Sequence, residues 1–284
     1  MKNIKSFVLL SIILTIGLST KAQEINFSVG TQFQFSSFNI DGSSVNTDFQ
    51  PGAGIDLGVN VKLSDQWSIN SGVGYAFHQT RNSIGNLSGM ENTTDLAGES
   101  FRFNYRVSGY SETQKFNSIS IPVNFQYETQ GHTRFYAKLG ASYNILNNVR
   151  QESRASQLTT SGFFPRFNGT LTAPAFAGFG TFKNIDFDEQ DFELSNSINA
   201  TIEMGVKETL PNNAFIYFGA FLEYGLNDIK DTPAANGSLT FNSTDPTRFV
   251  SNGSFDAQDV SGNNQIDEAK LYYAGVRIRY QFGK

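Results

Sequence analysis

"IDLGVNVKLSDQWSINSGVGYAF", residues 55–77, decides the fold. Before the break at Ser64-Asp65-Gln66, Ile55, Leu57, Val59, Val61 and Leu63 hold one parity against Asp56, Gly58, Asn60 and Lys62. After it, Trp67, Ile69, Val73, Tyr75 and Phe77 alternate with Ser68, Asn70, Gly72, Gly74 and His78. Successive side chains on a strand point to opposite faces. The stretch therefore predicts two antiparallel strands joined by a tight turn, each with one large apolar face and one small polar face.

The same pattern recurs on both sides. Upstream, Ile25, Phe27, Val29, Thr31, Phe33 and Phe35 alternate with Asn26, Ser28, Gly30, Gln32 and Gln34. Downstream, alternating runs occupy 118–127, 135–145, 198–207, 215–224 and 271–282, making eight strands. Short links at 64–66, 129–133 and 210–213 alternate with long polar links at about 37–52, 80–115, 147–192 and 228–269. All turns then lie at one end and all loops at the other. That predicts an all-β, eight-stranded antiparallel transmembrane barrel of the outer membrane, with periplasmic turns and external loops. Lipid requires closure, because an open sheet edge cannot be hydrated there. Pro122 cannot donate to a ladder, and a local bulge is expected around it.

The N-terminus agrees with export. Lys2 and Lys5, an apolar run from Phe7 to Leu18, and Thr20-Lys21-Ala22 predict a signal peptide over 1–22, leaving 23–284 as one barrel domain. Its removal takes three of the 21 cations and none of the 26 acids, moving the formal charge from −5 to −8. An acidic exported chain is a poor nucleic-acid binder. The absence of cysteine excludes disulfides, thiolate metal sites and acylation at a cysteine.

Eight strands leave a lumen that side chains can fill. The inward parity carries Asp56, Lys62, Lys138, Glu203, Lys207, Glu223, Arg277 and Arg279, which are expected to pair as a plug of ion pairs, with a proton or solute path as the alternative. His78 is expected at the polar rim. With Ser83 and Glu91 later in the same link it is the candidate for a lipid-modifying site, although no spacing enforces a triad. His132 falls in a periplasmic turn. Asp259, Ser261, Asn263, Gln265 and Asp267 alternate as in a calcium loop, with Ile266 at the apolar position. Asn264 and Lys270 depart from that pattern, and a polar turn is the competing expectation. Phe101, Phe103, Tyr105, Phe163, Phe164, Phe167, Phe176 and Phe179 predict a cap over the barrel mouth or a partner surface. No cofactor is expected.

"KAQ" at 21–23, "ISIPVNFQY" at 119–127, "FYAKLGASYN" at 135–144, "FLEYGLNDI" at 221–229 and "GVRIRYQF" at 275–282 resemble the small outer-membrane β-barrel proteins of Bacteroidota labelled PorT-like. The resemblance covers nearly the whole chain after residue 22. It implies a barrel embedded in outer-membrane lipid and no shared chemistry. Gly275, Ile278, Tyr280 and Phe282 resemble the glycine-and-aromatic signal that the barrel assembly machinery reads on a last strand. The expected function is non-enzymatic: surface interaction with an envelope or extracellular protein, or companionship to an envelope or secretion complex, PorT being associated with type IX secretion. A lipid-modifying enzyme and a narrow transporter of small apolar molecules are the alternatives.

Overall fold

The computed structural model describes residues 24–41, 45–231, 236–259 and 261–283. The predicted signal peptide lies outside the described residues. Eight strands form the framework: β1 (Ile25–Asp41), β2 (Val45–Lys62), β3 (Trp67–Thr94), β4 (Ser100–Glu128), β5 (Thr133–Phe164), β6 (Ser197–Thr209), β7 (Phe215–Gly225) and β8 (Glu268–Gln281). Each pairs antiparallel with the next, and β1 also pairs with β8 from Ser28↔Gln281 to Asp41↔Glu268, so the ring is closed. The long terminal strand is thus the seam of the barrel.

In the lower part of the ring the faces are inverted relative to a water-soluble sheet. Leu57, Phe135 and Leu139 are each about two-thirds exposed, whereas Asn26, Ser28 and Asn60 are buried. Only a hydrocarbon solvent makes that arrangement favourable. Tyrosines mark both rims of the apolar band: Asn212 donates to Tyr280 at the turn end, while Asn196 and Asn39 donate to Tyr143 and Tyr224 at the other. Each ring meets hydrocarbon and its hydroxyl keeps a polar partner.

The long links are present on one side, but most of their length is ladder. β3 and β4 keep one register from Trp67↔Tyr127 to Thr94↔Ser100, so 80–115 is a tall hairpin turning at 95–99. β5 rises beside it, and a return strand, Gly180–Asp186, pairs back from Thr160↔Gly180 to Arg154↔Asp186. These strands stand above the apolar band as an extracellular extension.

Within the extension the inward parity changes. On β4 Tyr110, Glu112 and Gln114 point in; higher up it is Phe101, Phe103, Tyr105 and Val107. On β5 the inward set changes from Ser153 and Ala155 to Leu158 and Thr160. The change falls on one transverse row, Gly85–Gly109–Ser156–Asn184, skipped by all three ladders. Gly109 at φ 62° and Asn184 at φ 52° supply the left-handed backbone that lets a strand drop one residue from the pleat. Above the row the sheet buries its apolar side around Phe103, Leu158, Phe179, Leu239 and Phe241, the last two from the final loop.

Two expectations need correction. The ladder from β4 to β3 is interrupted at Pro122, yet Ser71↔Val123 and Gly74↔Ser120 share one register, so there is no bulge there. The shifts lie at Pro51, between Phe49 and Ala53 of β2, and between Lys115 and Asn117 of β4, opposite left-handed Asn148 at φ 51°. The loop aromatics do not cap the mouth. Phe101, Phe103, Tyr105, Phe164 and Phe179 form the extension's own core, while Phe167 and Phe176 are exposed.

Candidate functional site

The inward parity of the lower barrel brings the charged side chains into two tiers. Near the turns, Lys207 Nζ lies 2.8 Å from Glu128 Oε2, and Tyr217 and Gln126 donate to Glu128 Oε1 at 3.1 and 2.5 Å. Lys62 pairs with Glu24 at 2.8 Å, toward the rim. Glu128 had a sequence signal: it continues the inward parity of Asn124 and Gln126, one residue beyond the run expected from the alternation.

The middle tier is built around Glu203. Its carboxylate receives Tyr136 OH at 2.7 Å, Lys138 at 3.1 Å and Arg277 Nη1 at 2.7 Å, with Arg279 at 3.8 Å. Arg277 also faces Asp56 at 3.6 Å and Glu223 at 3.8 Å, while Gln32 accepts from its guanidinium. Glu223 receives Ser142 and Tyr273, each at 2.7 Å. Lys138, Arg277 and Arg279 thus oppose Asp56, Glu203 and Glu223. In so confined a space this matching is what makes burial of the charges tolerable. A cavity of about 50 Å³ beside Asp56, Asn70, Ser120 and Glu203 leaves room for a few waters at most.

Above this tier His78 is fully buried, so it is not a rim residue. Ser36 and Ser118 hydroxyls sit 2.9 Å from Nδ1 and Nε2, and the ring stacks on Phe116 at 5.1 Å. Ser83 and Glu91 are elsewhere: Glu91 lies higher on β3 and accepts the Phe241 N–H at 2.9 Å. Among the described residues no nucleophile–base–acid chain forms on this histidine. An apolar layer, including Phe38, Phe116, Phe221, Ile229, Phe255 and Leu271, closes the mouth over it.

The final loop is fixed to the extension by Glu112, which position alone had assigned to a link. Ser254 donates its N–H to Oε1 at 2.6 Å and its hydroxyl to Oε2 at 2.5 Å. Tyr110 donates to Oε1 at 2.5 Å and lies 2.6 Å from Ser251 Oγ. Burial pushes the Glu112 carboxyl above its usual range, against the pull of these donors.

The calcium-loop candidates lie in the same loop. Asp259 N–H donates to the Asn263 carbonyl at 2.8 Å, and Gly262 has φ 82°. The Asp259 carboxylate accepts the N–H groups of Ser261 and Asn263, and Gln265 turns inward to donate to Ser238. Among the described residues no cluster of His, Cys, Asp or Glu gathers around a common point. His132 is exposed in its turn.

On the terminal strand, Ile278 and Phe282 face outward and Tyr280 lies at the rim. Gly275 lies on the inner face, where an added Cβ would collide with the β1 backbone at Phe33 and Gln34. The four residues therefore do not share one face.

A closed eight-stranded ring with a lipid-facing apolar band and a paired, polar lumen defines an integral outer-membrane β-barrel protein. Residues 20–231 match the family model described as outer membrane protein beta-barrel domain, and the chain belongs to that family. No curated protein matches the chain. Among solved structures, Ail, the attachment invasion locus protein of Yersinia pestis, is similar over 91% of this chain and 99% of its own, at 12% identity and a TM-score of 0.34. OprG from Pseudomonas aeruginosa is similar over 92% and 98%, at 12% identity and a TM-score of 0.39. Neisserial surface protein A is similar over 90% and 97%, at 11% identity and a TM-score of 0.34.

Proposed function

We propose that this protein is a non-enzymatic surface-display barrel, in which a sealed lumen anchors the extracellular extension for interaction with a partner outside the cell. The observation that carries this is the stacking of closures along the axis. Two tiers of ion pairs, the apolar layer at the mouth and the Glu112 clasp lie between the periplasmic end and the extension. A transporter needs a path and an enzyme needs an accessible reacting group, and the buried, serine-bracketed His78 supports neither. Purified protein in planar bilayers is expected to show no stable aqueous openings. Reproducible large openings would overturn the seal, and a change of lipid A structure lost in His78→Ala would overturn the non-enzymatic role.

The motifs at 119–127, 135–144 and 275–282 support a place among the PorT-like barrels of Bacteroidota, and with it a companion role in an envelope or secretion complex. Residues 1–22 serve in this scheme as a signal peptide, and the last strand as the address read by the assembly machinery. Mild-detergent capture from the native membrane tests the companion role: co-purification of a stoichiometric envelope protein supports it, and recovery of the barrel alone counts against it.

A further inference from the structure

The outward face of the extension differs from the rest of the molecule in charge. Above the Gly85–Gly109–Ser156–Asn184 row, the pleat places four strands in register. One row is Ser88–Arg106–Thr159–Thr181 and the next is Asn86–Ser108–Gln157–Lys183. Arg102 lies two rows higher than Arg106, beside Phe163 at 5.2 Å. Among the outward ladder residues of this region there are three cations, Arg102, Arg106 and Lys183, and no carboxylate. Glu91, the one acid on this length of β3, points inward to Phe241. Below the row three cations are paired, Arg154 with Asp186, Lys115 with Glu152 and Arg150 with Glu189, while Arg81 stands opposite Asp48 in the ladder. Arg102, Arg106 and Lys183 form no ion pair among the described residues, in a chain whose formal charge is −5.

We propose that this face binds an anionic polysaccharide, a carboxylated or sulfated glycan lying across the strands. The inference rests on the display function proposed above and names the partner's chemistry. Arg102 and Arg106, four residues apart on one strand, are separated by about 13 Å, and Lys183 lies about 10 Å to the side, two strands over. That spacing offers separate contacts to a repeating anion and does not form a single phosphate pocket. Between the cations stand Asn104, Gln157 and Thr159, with Ser88, Ser108 and Thr181 beside them, and their hydroxyls and amides suit ring hydroxyls. The Ser108 hydroxyl already donates to Asn86 Oδ1 at 3.2 Å, and Thr159 Oγ1 lies 3.3 Å from Thr181 Oγ1, so the rows are laterally organised.

Two other partners fit less well. A protein partner needs buried aromatic or aliphatic anchors, and among the outward ladder residues around these cations only Met90 and Phe163 are large and apolar, the exposed Leu96, Phe167 and Phe176 lying in the connections beyond them. The membrane's own head groups are out of reach. The lipid-facing run of β4 ends at Ile119, and Arg106 and Arg102 stand roughly 30–45 Å above it, allowing for strand tilt. That is several Debye lengths at physiological salt.

The test uses the full chain in lipid nanodiscs, with immobilised dextran sulfate, alginate, neutral dextran, poly-glutamate and duplex DNA as probes. Dextran sulfate and alginate are expected to bind, and to weaken as salt is raised, while neutral dextran does not bind. Poly-glutamate and DNA are expected to bind at least about tenfold more weakly than the glycans, because they cannot use the hydroxyl rows. The triple variant Arg102→Gln, Arg106→Gln, Lys183→Gln is expected to lose at least about tenfold in glycan affinity, from three exposed charge contacts. Arg154→Gln, below the row, is expected to bind as the native chain does. An unchanged heat-modifiable gel shift establishes that each variant is folded. Equal binding of poly-glutamate or DNA, native-like binding by the triple variant, or equal loss in Arg154→Gln sinks the proposal, as does failure of both anionic glycans at low salt. Those failures in a non-conducting barrel leave the display function standing, whereas conductance removes that function and leaves the glycan face to its own result.

Discussion

Arg277 on β8 and Glu203 on β6 meet across the intervening strand, Nη1 to Oε2 at 2.7 Å. Gly219 of β7 lies between them in the ladder, paired with Arg277 on one side and Gly205 on the other. An added Cβ at Gly219 would strike the Tyr136 hydroxyl, the group that also donates to Glu203. The glycine thus keeps open the space in which the central cluster assembles.

Arg277→Glu places a fourth carboxylate among Asp56, Glu203 and Glu223 and removes their shared cation. Breaking a buried pair costs about 3–5 kcal/mol, and like-charge repulsion adds to that. The variant is expected to reach the membrane yet to lose its heat-modifiable shift at a lower temperature than the native protein. An unchanged shift would show that the cluster is not what holds the lumen shut.

Phe282→Asp separates a wall from an address. Phe282 is half-exposed at the turn end of β8, its ring 5.2 Å from Tyr280. A charge near the interface costs only about 0–1 kcal/mol in insertion. Membrane delivery is nevertheless expected to fall severely, because the substitution damages the proposed assembly signal. Normal amounts in the outer membrane would leave β8 as wall alone.

Glu112 makes docking of the final loop dependent on pH. Its carboxyl is raised because it is buried, against the hydrogen bonds of Ser254 and Tyr110, and the Asp256 charge raises it further. The docked state therefore holds the proton more tightly than the released loop does. The contribution is fully present below the ordinary value of 4.5 and is lost as pH rises through the raised one. Hydrogen exchange at Ser251–Ser254, corrected for intrinsic rate, should show protection declining across that window. In Glu112→Gln the decline should vanish, and a decline of the same size there would assign it to another group.

Gly109→Val tests whether the extension folds apart from the barrel. Gly109 has φ 62°, and an added Cβ would lie 2.6 Å from Ser156 Oγ. Strain of about 1–3 kcal/mol is expected, concentrated in the row where the faces exchange. Exchange protection should fall in 100–110 and 180–186 while the heat-modifiable shift of the barrel stays native. Equal loss in both would make barrel and extension one cooperative unit.

Period-two alternation was enough to place all eight strands, the order of short and long links, and the inward charges from Asp56 to Arg279. It succeeds because a strand's side-chain period is 2 and lipid enforces it on every outward residue. Glu128 shows the limit at a strand end, where one more residue of the same parity was legible and the apolar run had stopped. The wall ends at Ile119, but the ladder does not; above it water replaces lipid and the outward face turns polar, so 80–115 resembled loop. The exchange of faces at Gly109 and Asn184 shifts the parity by one residue, which breaks the alternation that a sequence scan depends on. That Glu112 receives Ser254, and that Leu239 and Phe241 enter the core built by Phe103 and Leu158, joins segments distant in the chain with no local signal. Sequence by itself determined the barrel, its lipid face and its charged lumen, since each follows from a periodic rule. The extension, its core and the clasp of the final loop were decided only by tertiary structure, because nonlocal packing, not period, selects which surfaces meet.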